Sequence, residues 1–236
     1  MDVREARETA YRRDQQFGEA KMSLWSEFLT NDGRKIHKWT HYFPIYEQHF
    51  GRFVNRTTTF IEIGICKGGS LQLWKRYLGP FAQIVGIDID PTCKVVEEDQ
   101  IAVRIGDQSD LNFLQQIIDE FGSPDVVLDD GSHMMSDIRA SFKFLYPHIS
   151  KNGVYMIEDL HTAYWDEYGG GIGRAGSFIE QAKGLIDELN VDHSRGAVPI
   201  SEFSRTTMSM HFYDSVVAFE RGRHLKKHAP ISGRDM

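Results

Sequence analysis

The sequence predicts a doubly wound α/β fold, and three observations carry that prediction. From Thr59 to Asp159, short apolar runs alternate with segments of helical period. The runs are continuously apolar, as in parallel strands buried on both faces. Each run closes on glycines or acids, at the end of the sheet where open α/β folds bind ligands.

The elements follow in order. "TFIEIGI" reads as a first strand and runs into a glycine turn, "CKGGS". "LQLWKRYL" is a helix stopped by Gly79-Pro80. "QIVGIDID" and "IAVRIGD" are the second and third strands. "DLNFLQQIIDEF" puts Leu111, Leu114, Ile117, Ile118 and Phe121 on one helical face, with Ser109 or Asp110 as its cap. "DVVLDD" is a fourth strand, "SDIRASFKFLYPHI" a helix with Ile138, Phe142 and Leu145 inward, and "GVYMIED" a fifth strand. A glycine-rich aromatic loop follows, then a helix over residues 176–190. "TTMSMHFYDSVVAFER" reads as two strands joined tightly at Tyr213-Asp214. Residues 1 to about 55 read as mostly helical, and residues 223–236 as a basic, solvated tail. The organisation expected is a single domain over 1–236: a helical cover (1–55), a core (56–222) and the tail.

Bulk properties narrow the function classes. The chain has 236 residues, enough for one large α/β domain. A net charge of −7 argues against a general nucleic-acid binder. The charged N-terminus has no apolar signal region, and no run approaches the ~20 apolar residues of a membrane span. Two cysteines, Cys66 and Cys93, make no disulfide framework, so a cytoplasmic protein is expected. No Cys or His cluster of zinc-site spacing stands out.

The strand ends hold the candidate chemistry. Gly64, Gly68 and Gly69 follow G-x-x-x-G-G rather than the dinucleotide spacing, and let backbone approach a ligand closely. Asp88 stands 24 residues after Gly64, with Asp90 beyond it, where an acid can accept both hydroxyls of a ribose. Asp107 and Gln108 end the third strand, where they can meet an adenine edge. The fourth strand ends in "DDGSH" and the fifth in "IED", which brings Asp130 towards Glu158 and Asp159. Converging carboxylates repel one another unless a cation compensates them, and oxygen ligands suit Mg²⁺. On the residues alone, the same acids also fit exposed helix caps.

The run from Phe60 to Asp159 resembles the class I S-adenosylmethionine-dependent methyltransferases. "FIEIGICKGGSLQLW" is similar to their first motif, "VGIDID" to the ribose acid and "IGDQSD" to the adenine segment. "VVLDDGSH" with "MIEDLHTAYWDEYGGG", "KWTHYFPIYEQHF" and "HFYDSVVAFER" narrow the resemblance to the metal-dependent sugar O-methyltransferases of macrolide and rhamnoside tailoring. Macrolide members carry a longer N-terminal region. The 55 residues here fit compact relatives acting on mannosides or rhamnosides better.

The resemblance implies a Rossmann-like fold, with a mostly parallel seven-stranded sheet and an antiparallel C-terminal pair. It implies S-adenosylmethionine held by Lys38, Tyr42, Glu62, Gly64, Lys67, Gly68, Ser70, Asp88, Asp107, Gln108 and Asp129. Asp129 is expected to orient the turn or touch the cofactor. It implies Mg²⁺ on Asp130, Glu158 and Asp159, with His133 as general base. Tyr164, Trp165 and Tyr168 can stack on the acceptor sugar beneath a glycine-hinged lid, and they equally fit a hydrophobic plug that anchors the loop to the core. A homodimer or higher homo-oligomer, with no nucleic-acid or membrane partner, completes the expectation. Two other readings fit the residues: an O-methyltransferase for catechol-like diols, and a non-catalytic nucleotide-binding protein of this fold.

Overall fold

The structure is a computed structural model that describes residues 23–223 and 227–233; the helical expectation for residues 1–22 lies outside them. Its centre is a seven-stranded sheet of β1 (Thr58–Ile63), β2 (Ala82–Asp88), β3 (Ile101–Ile105), β4 (Val126–Asp129), β5 (Val154–Ile157), β6 (Thr207–Tyr213) and β7 (Val216–Arg221). The strand order is β3-β2-β1-β4-β5-β7-β6. Strands β1 to β5 pair in parallel. β7 runs antiparallel to both β5 and β6. The order reverses between β1 and β4, where Ile63 pairs with Asp129, so the switch-point crevice lies between the two strand ends singled out by the sequence.

Among the described residues, seven α-helices cover the sheet: α1 (Leu24–Leu29), α2 (Tyr42–Phe50), α3 (Gly69–Leu78), α4 (Leu111–Phe121), α5 (Met135–Leu145), α6 (Phe178–Leu189) and α7 (Glu202–Thr206). Asp110 caps α4 by accepting from the Asn112 and Phe113 amides, which satisfies two otherwise unpaired donors. Leu111 is the exception on that helix's apolar face: at the first position, ahead of the sheet contact, it is exposed. On α5 the predicted stripe of Ile138, Phe142 and Leu145 is buried.

Apolar layers form on both faces of the sheet. One joins Phe60, Ile84, Val126 and Met156 to Trp74 of α3 and to Tyr46 and Phe50 of α2. Trp74 is fully buried, with ring centroids 5.1, 5.7 and 5.1 Å from Tyr46, Phe50 and Phe60. Truncating it to Ala removes contacts typically worth ~3–5 kcal/mol. This layer fixes α2, and α2 in turn aims two tyrosines at the strand ends. The other layer joins Ile61, Val127 and Tyr155 to α4, α5 and α6.

Two segments depart from the expected outline. Between α1 and α2 the chain is irregular rather than helical. It turns at Asn31, whose side chain donates to the Arg34 carbonyl, and then lies against α3, where Gln72 Oε1 accepts from the Arg34 amide. A Cβ on Gly69 would stand 2.1 Å from the Lys35 carbonyl oxygen, so the first turn of α3 needs glycine there. The β6–β7 turn falls at Asp214-Ser215, one residue later than expected, and Ser215 takes the positive φ of 63° that closes it. Among the described residues, no helix is long and apolar enough to cross a membrane.

Candidate active site

The first strand end is shaped by close approach. Gly64 has φ +82°, and a Cβ there would stand 2.1 Å from the Asp130 carbonyl oxygen. Only glycine lets the β1 and β4 ends close on one another at this point. Beside them opens a cleft of about 200 Å³, lined by Gly64, Asp88, Ile89, Asp107, Gln108 and Ser132 among others. Asp88 is held from behind: Oδ2 accepts from the Ile65 and Cys66 amides at 3.0 and 3.1 Å, and Oδ1 from the Asp90 amide at 2.9 Å. Ile89, which the sequence reading missed, is 69% exposed at the cleft. An exposed isoleucine directly after a strand-end acid is the signal that would have found it: a diol acceptor with an apolar plate beside it.

The remaining cofactor candidates divide. Asp107 accepts from Ser109 and lines the cleft. Gln108 also lines it, but its side chain ties the floor together: Oε1 accepts from the Ser132 amide at 2.7 Å, and Nε2 donates to Asp129 at 3.1 Å. Asp129 is buried beneath, accepting also from Ser141 Oγ at 2.6 Å and Tyr155 Oη at 2.8 Å. Burial pushes its carboxyl pKa up, and these donors hold it back. It braces the turn and is not among the residues lining the cleft. Lys67 is exposed on the glycine turn, and Gly68 holds φ +73° there. Ser70 donates to the fully buried Glu62 at 2.8 Å, away from the cleft.

Lys38 and Tyr42, expected to contact the cofactor, both reach the carboxylates. Lys38 Nζ donates to Asp130 Oδ2 at 2.6 Å and Glu158 Oε2 at 2.9 Å, with Glu62 Oε1 3.4 Å away. Burial alone would lower its pKa, but Asp130, Glu158 and Glu62 outweigh it and keep the ammonium charged. Tyr42 Oη donates to Asp159 Oδ1 at 2.7 Å, and Tyr46 Oη donates to Glu158 Oε1. Burial holds both phenols protonated, so they serve as donors. Tyr46 was not foreseen. Its signal is the spacing of four that sets Tyr46 one turn beyond Tyr42 on α2.

Glu158 is the third acid expected to hold the metal. It is buried and already engaged by Lys38 and Tyr46. Burial pushes its carboxyl pKa up, Lys38 opposes that, and the Asp130 charge adds to it. Asp130, His133 and Asp159, by contrast, turn ligand atoms toward one another, all within 4.8 Å. His133 Nε2 stands 4.0 Å from Asp130 Oδ1 and 3.9 Å from Asp159 Oδ2. His133 and Asp159 both hold left-handed backbone, φ 58° and 52°. Non-glycine residues take that conformation at a cost, and it is found disproportionately at functional sites. Two carboxylates beside an imidazole, with Glu158 behind them, are an oxygen-rich donor set that fits a hard divalent ion.

Around this group runs a row of rings. Tyr168 lies 6.4 Å from His133, Trp165 5.9 Å from Tyr168, His161 4.9 Å from Trp165, and Trp39 6.4 Å from His161. Trp165 and Tyr168 thus stand in one row with His133, and Trp39 and His161 extend it. Tyr164 is set apart, lining a second cavity of about 410 Å³ with Ile179, Ile186 and Phe212.

Strand order, glycine turn and strand-end acids together define the class I methyltransferase fold. No family model matches the chain. It is 36% identical over 218 residues to mycinamicin VI 2''-O-methyltransferase of Micromonospora griseorubida, covering 85% of this chain and 52% of the relative. It is 34% identical over 207 residues to 8-demethyl-8-alpha-L-rhamnosyl tetracenomycin-C 2'-O-methyltransferase of Streptomyces olivaceus, covering 84% and 53%. Among solved structures it matches the MycE methyltransferase of the mycinamycin biosynthetic pathway in complex with Mg and SAH. The TM-score is 0.76 at 33% identity, over 86% of this chain and 55% of that one. By sequence and by fold, the chain is homologous to these sugar O-methyltransferases. It spans about half the length of the curated relatives it matches.

Proposed function

We propose that this chain is a Mg²⁺-dependent O-methyltransferase that moves a methyl group from S-adenosylmethionine to a sugar hydroxyl of a glycoside or oligosaccharide. The observation that carries the reading is the convergence of Asp130, His133 and Asp159 beside the cleft that ends at Asp88. The relatives' printed names, and the Mg and SAH bound by MycE, support it.

In this reading Asp88 accepts the ribose hydroxyls and Ile89 covers one face of the adenine. S-adenosylmethionine supplies the methyl group. Mg²⁺, held by Asp130 and Asp159 with Glu158 behind them, would bind adjacent sugar hydroxyls and make them more acidic, as metals do for bound water. His133 takes the hydroxyl proton at Nε2, help typically worth ~10²–10⁴ in rate. Lys38, Tyr42 and Tyr46 hold the carboxylates in place. Trp39, Trp165 and Tyr168 offer ring faces to the acceptor and exclude water from it.

We further propose one domain, in which residues 23–55 cover the site and 56–222 form the core; the rest of the expected cover and part of the expected tail lie outside the described residues. The reading also takes the enzyme to be cytoplasmic and homo-oligomeric, with no nucleic-acid or membrane partner. Light scattering tests the assembly, since a monomer at micromolar concentration contradicts it. The function itself is tested by mass spectrometry of a glycoside panel incubated with the chain, Mg²⁺ and isotopically labelled S-adenosylmethionine. A labelled methyl on a sugar hydroxyl is expected. Label appearing on catechols alone, or on nothing while the cofactor binds, contradicts the reading.

A further inference from the structure

A second group of ligand-type side chains lies at the other end of the sheet. Its residues are His49 near the end of α2, His211 on β6 and Glu220 on β7, with ligand atoms within 4.8 Å of one another. Glu220 pairs with Val154 at the start of β5, whereas Glu158 and Asp159 follow the end of that strand. The group is therefore separate from the candidate active site. It was hidden in the sequence because His49 and Glu220 lie 171 positions apart.

The hydrogen bonding gives each imidazole one anchored and one inward edge. His49 Nε2 meets Tyr213 Oη at 2.9 Å, and its Nδ1 faces Glu220 Oε1 at 2.5 Å. His211 Nε2 meets Ser209 Oγ at 2.9 Å, which leaves Nδ1 as its second ligand atom. The two rings lie 4.8 Å apart, centroid to centroid. Ser209, His211 and Tyr213 alternate along β6 and so share one face of it. Arg52 holds Glu220 from outside, donating to Oε1 at 3.1 Å and also to Oε2. Histidine ligands of metals nearly always have their other ring nitrogen fixed by an outer partner, and metal-binding carboxylates are likewise held.

We propose that His49, His211 and Glu220 form a second metal site, for a zinc-type divalent ion, that clamps α2 to the β6–β7 hairpin. Two nitrogens and one oxygen select borderline transition ions, whereas Mg²⁺ requires an oxygen shell. A tetrahedral ion at about 2.0–2.1 Å from each donor needs donors about 3.3 Å apart, so on binding the His49 Nδ1–Glu220 pair, now 2.5 Å apart, opens while His211 draws in. The ion replaces the proton between His49 Nδ1 and Glu220, and that proton moves to Nε2. Nε2 then donates to Tyr213 Oη instead of accepting from it. Water supplies the fourth ligand.

The test uses the chelator-stripped full chain, in excess Mg²⁺, titrated with Zn²⁺ or with Co²⁺ as a visible-absorbing probe. Folding of each variant is checked by circular dichroism. One ion per chain is expected, with tetrahedral Co²⁺ absorption and a rise in Tm. Asp130→Asn and His133→Ala should keep it. His211→Ala, with His211→Gln as the second variant should the first misfold, should weaken it by more than the roughly 10–100-fold that losing an outer-shell partner costs. No uptake by the unsubstituted chain, uptake that survives both His211 variants, or uptake abolished by Asp130→Asn would overturn the proposal.

Discussion

Asp130 faces two ways: its Oδ2 takes the Lys38 ammonium at 2.6 Å, while its Oδ1 turns to His133 Nε2 at 4.0 Å. One carboxylate thus separates a buried cation from the group that fits a metal. Lys38 neutralises the inner acids, Glu62 and Glu158, and leaves the outer face of the cluster to Asp130, Asp159 and His133.

Lys38→Met should therefore destabilise the chain. It leaves three carboxylates around a buried site with no counter-charge, and breaking such a group by removing one partner costs roughly 3–5 kcal/mol. The Lys38 side chain is only 5% exposed, so solvent screens little of this. Urea denaturation without metal measures the loss, and added Mg²⁺ should restore part of it. Stability equal to the unsubstituted chain would mean that the acids are already protonated there.

Asp88→Ala should weaken S-adenosylmethionine binding by ~1–3 kcal/mol, since a charged acceptor of a hydroxyl pair is lost. The carboxylate also anchors the Ile65 and Cys66 amides, so the glycine turn loosens with it. Calorimetric titration reads the change, and unaltered affinity would put the ribose elsewhere.

Trp39→Ala tests the row of rings. Trp39 is 55% exposed, so the fold should tolerate its loss. If the ring stacks on the acceptor, KM for the glycoside should rise about 2–12-fold, the equivalent of ~0.5–1.5 kcal/mol for a ring contact. Cofactor affinity should stay put. An unchanged KM would reduce Trp39 to a cover for His161.

His133→Ala should cut kcat by about 10²–10⁴ and leave S-adenosylmethionine affinity nearly intact, because a base acts in the transition state rather than in binding. Full turnover in this variant, with a metal still required, would move the proton to another acceptor.

The sequence exposed what repeats locally. Continuous apolar runs marked the parallel strands, and the acids closing them marked the crevice, because a parallel sheet delivers every strand end to one side. Asp130, His133 and Asp159 were legible for that reason, aided by the resemblance. Contacts across long separations were not. The Lys38–Glu158 bond spans 120 positions, and nothing near either residue announces it. The irregular segment after α1 was hidden because its course is set by Gln72 and Gly69 of α3 rather than by its own propensities. His211 and Tyr213 read as ordinary alternating strand residues until α2 brought His49 against them.

The most direct measurement is methyl transfer from labelled S-adenosylmethionine to a glycoside acceptor by the full chain, first in EDTA and then with Mg²⁺ in excess. The account predicts no turnover in EDTA and recovery with Mg²⁺. It predicts no recovery at the same Mg²⁺ concentration in Asp130→Ala, because the ion that would position and polarise the acceptor loses a carboxylate ligand. Full turnover in EDTA would contradict the metal mechanism and leave proximity and His133 to account for the rate.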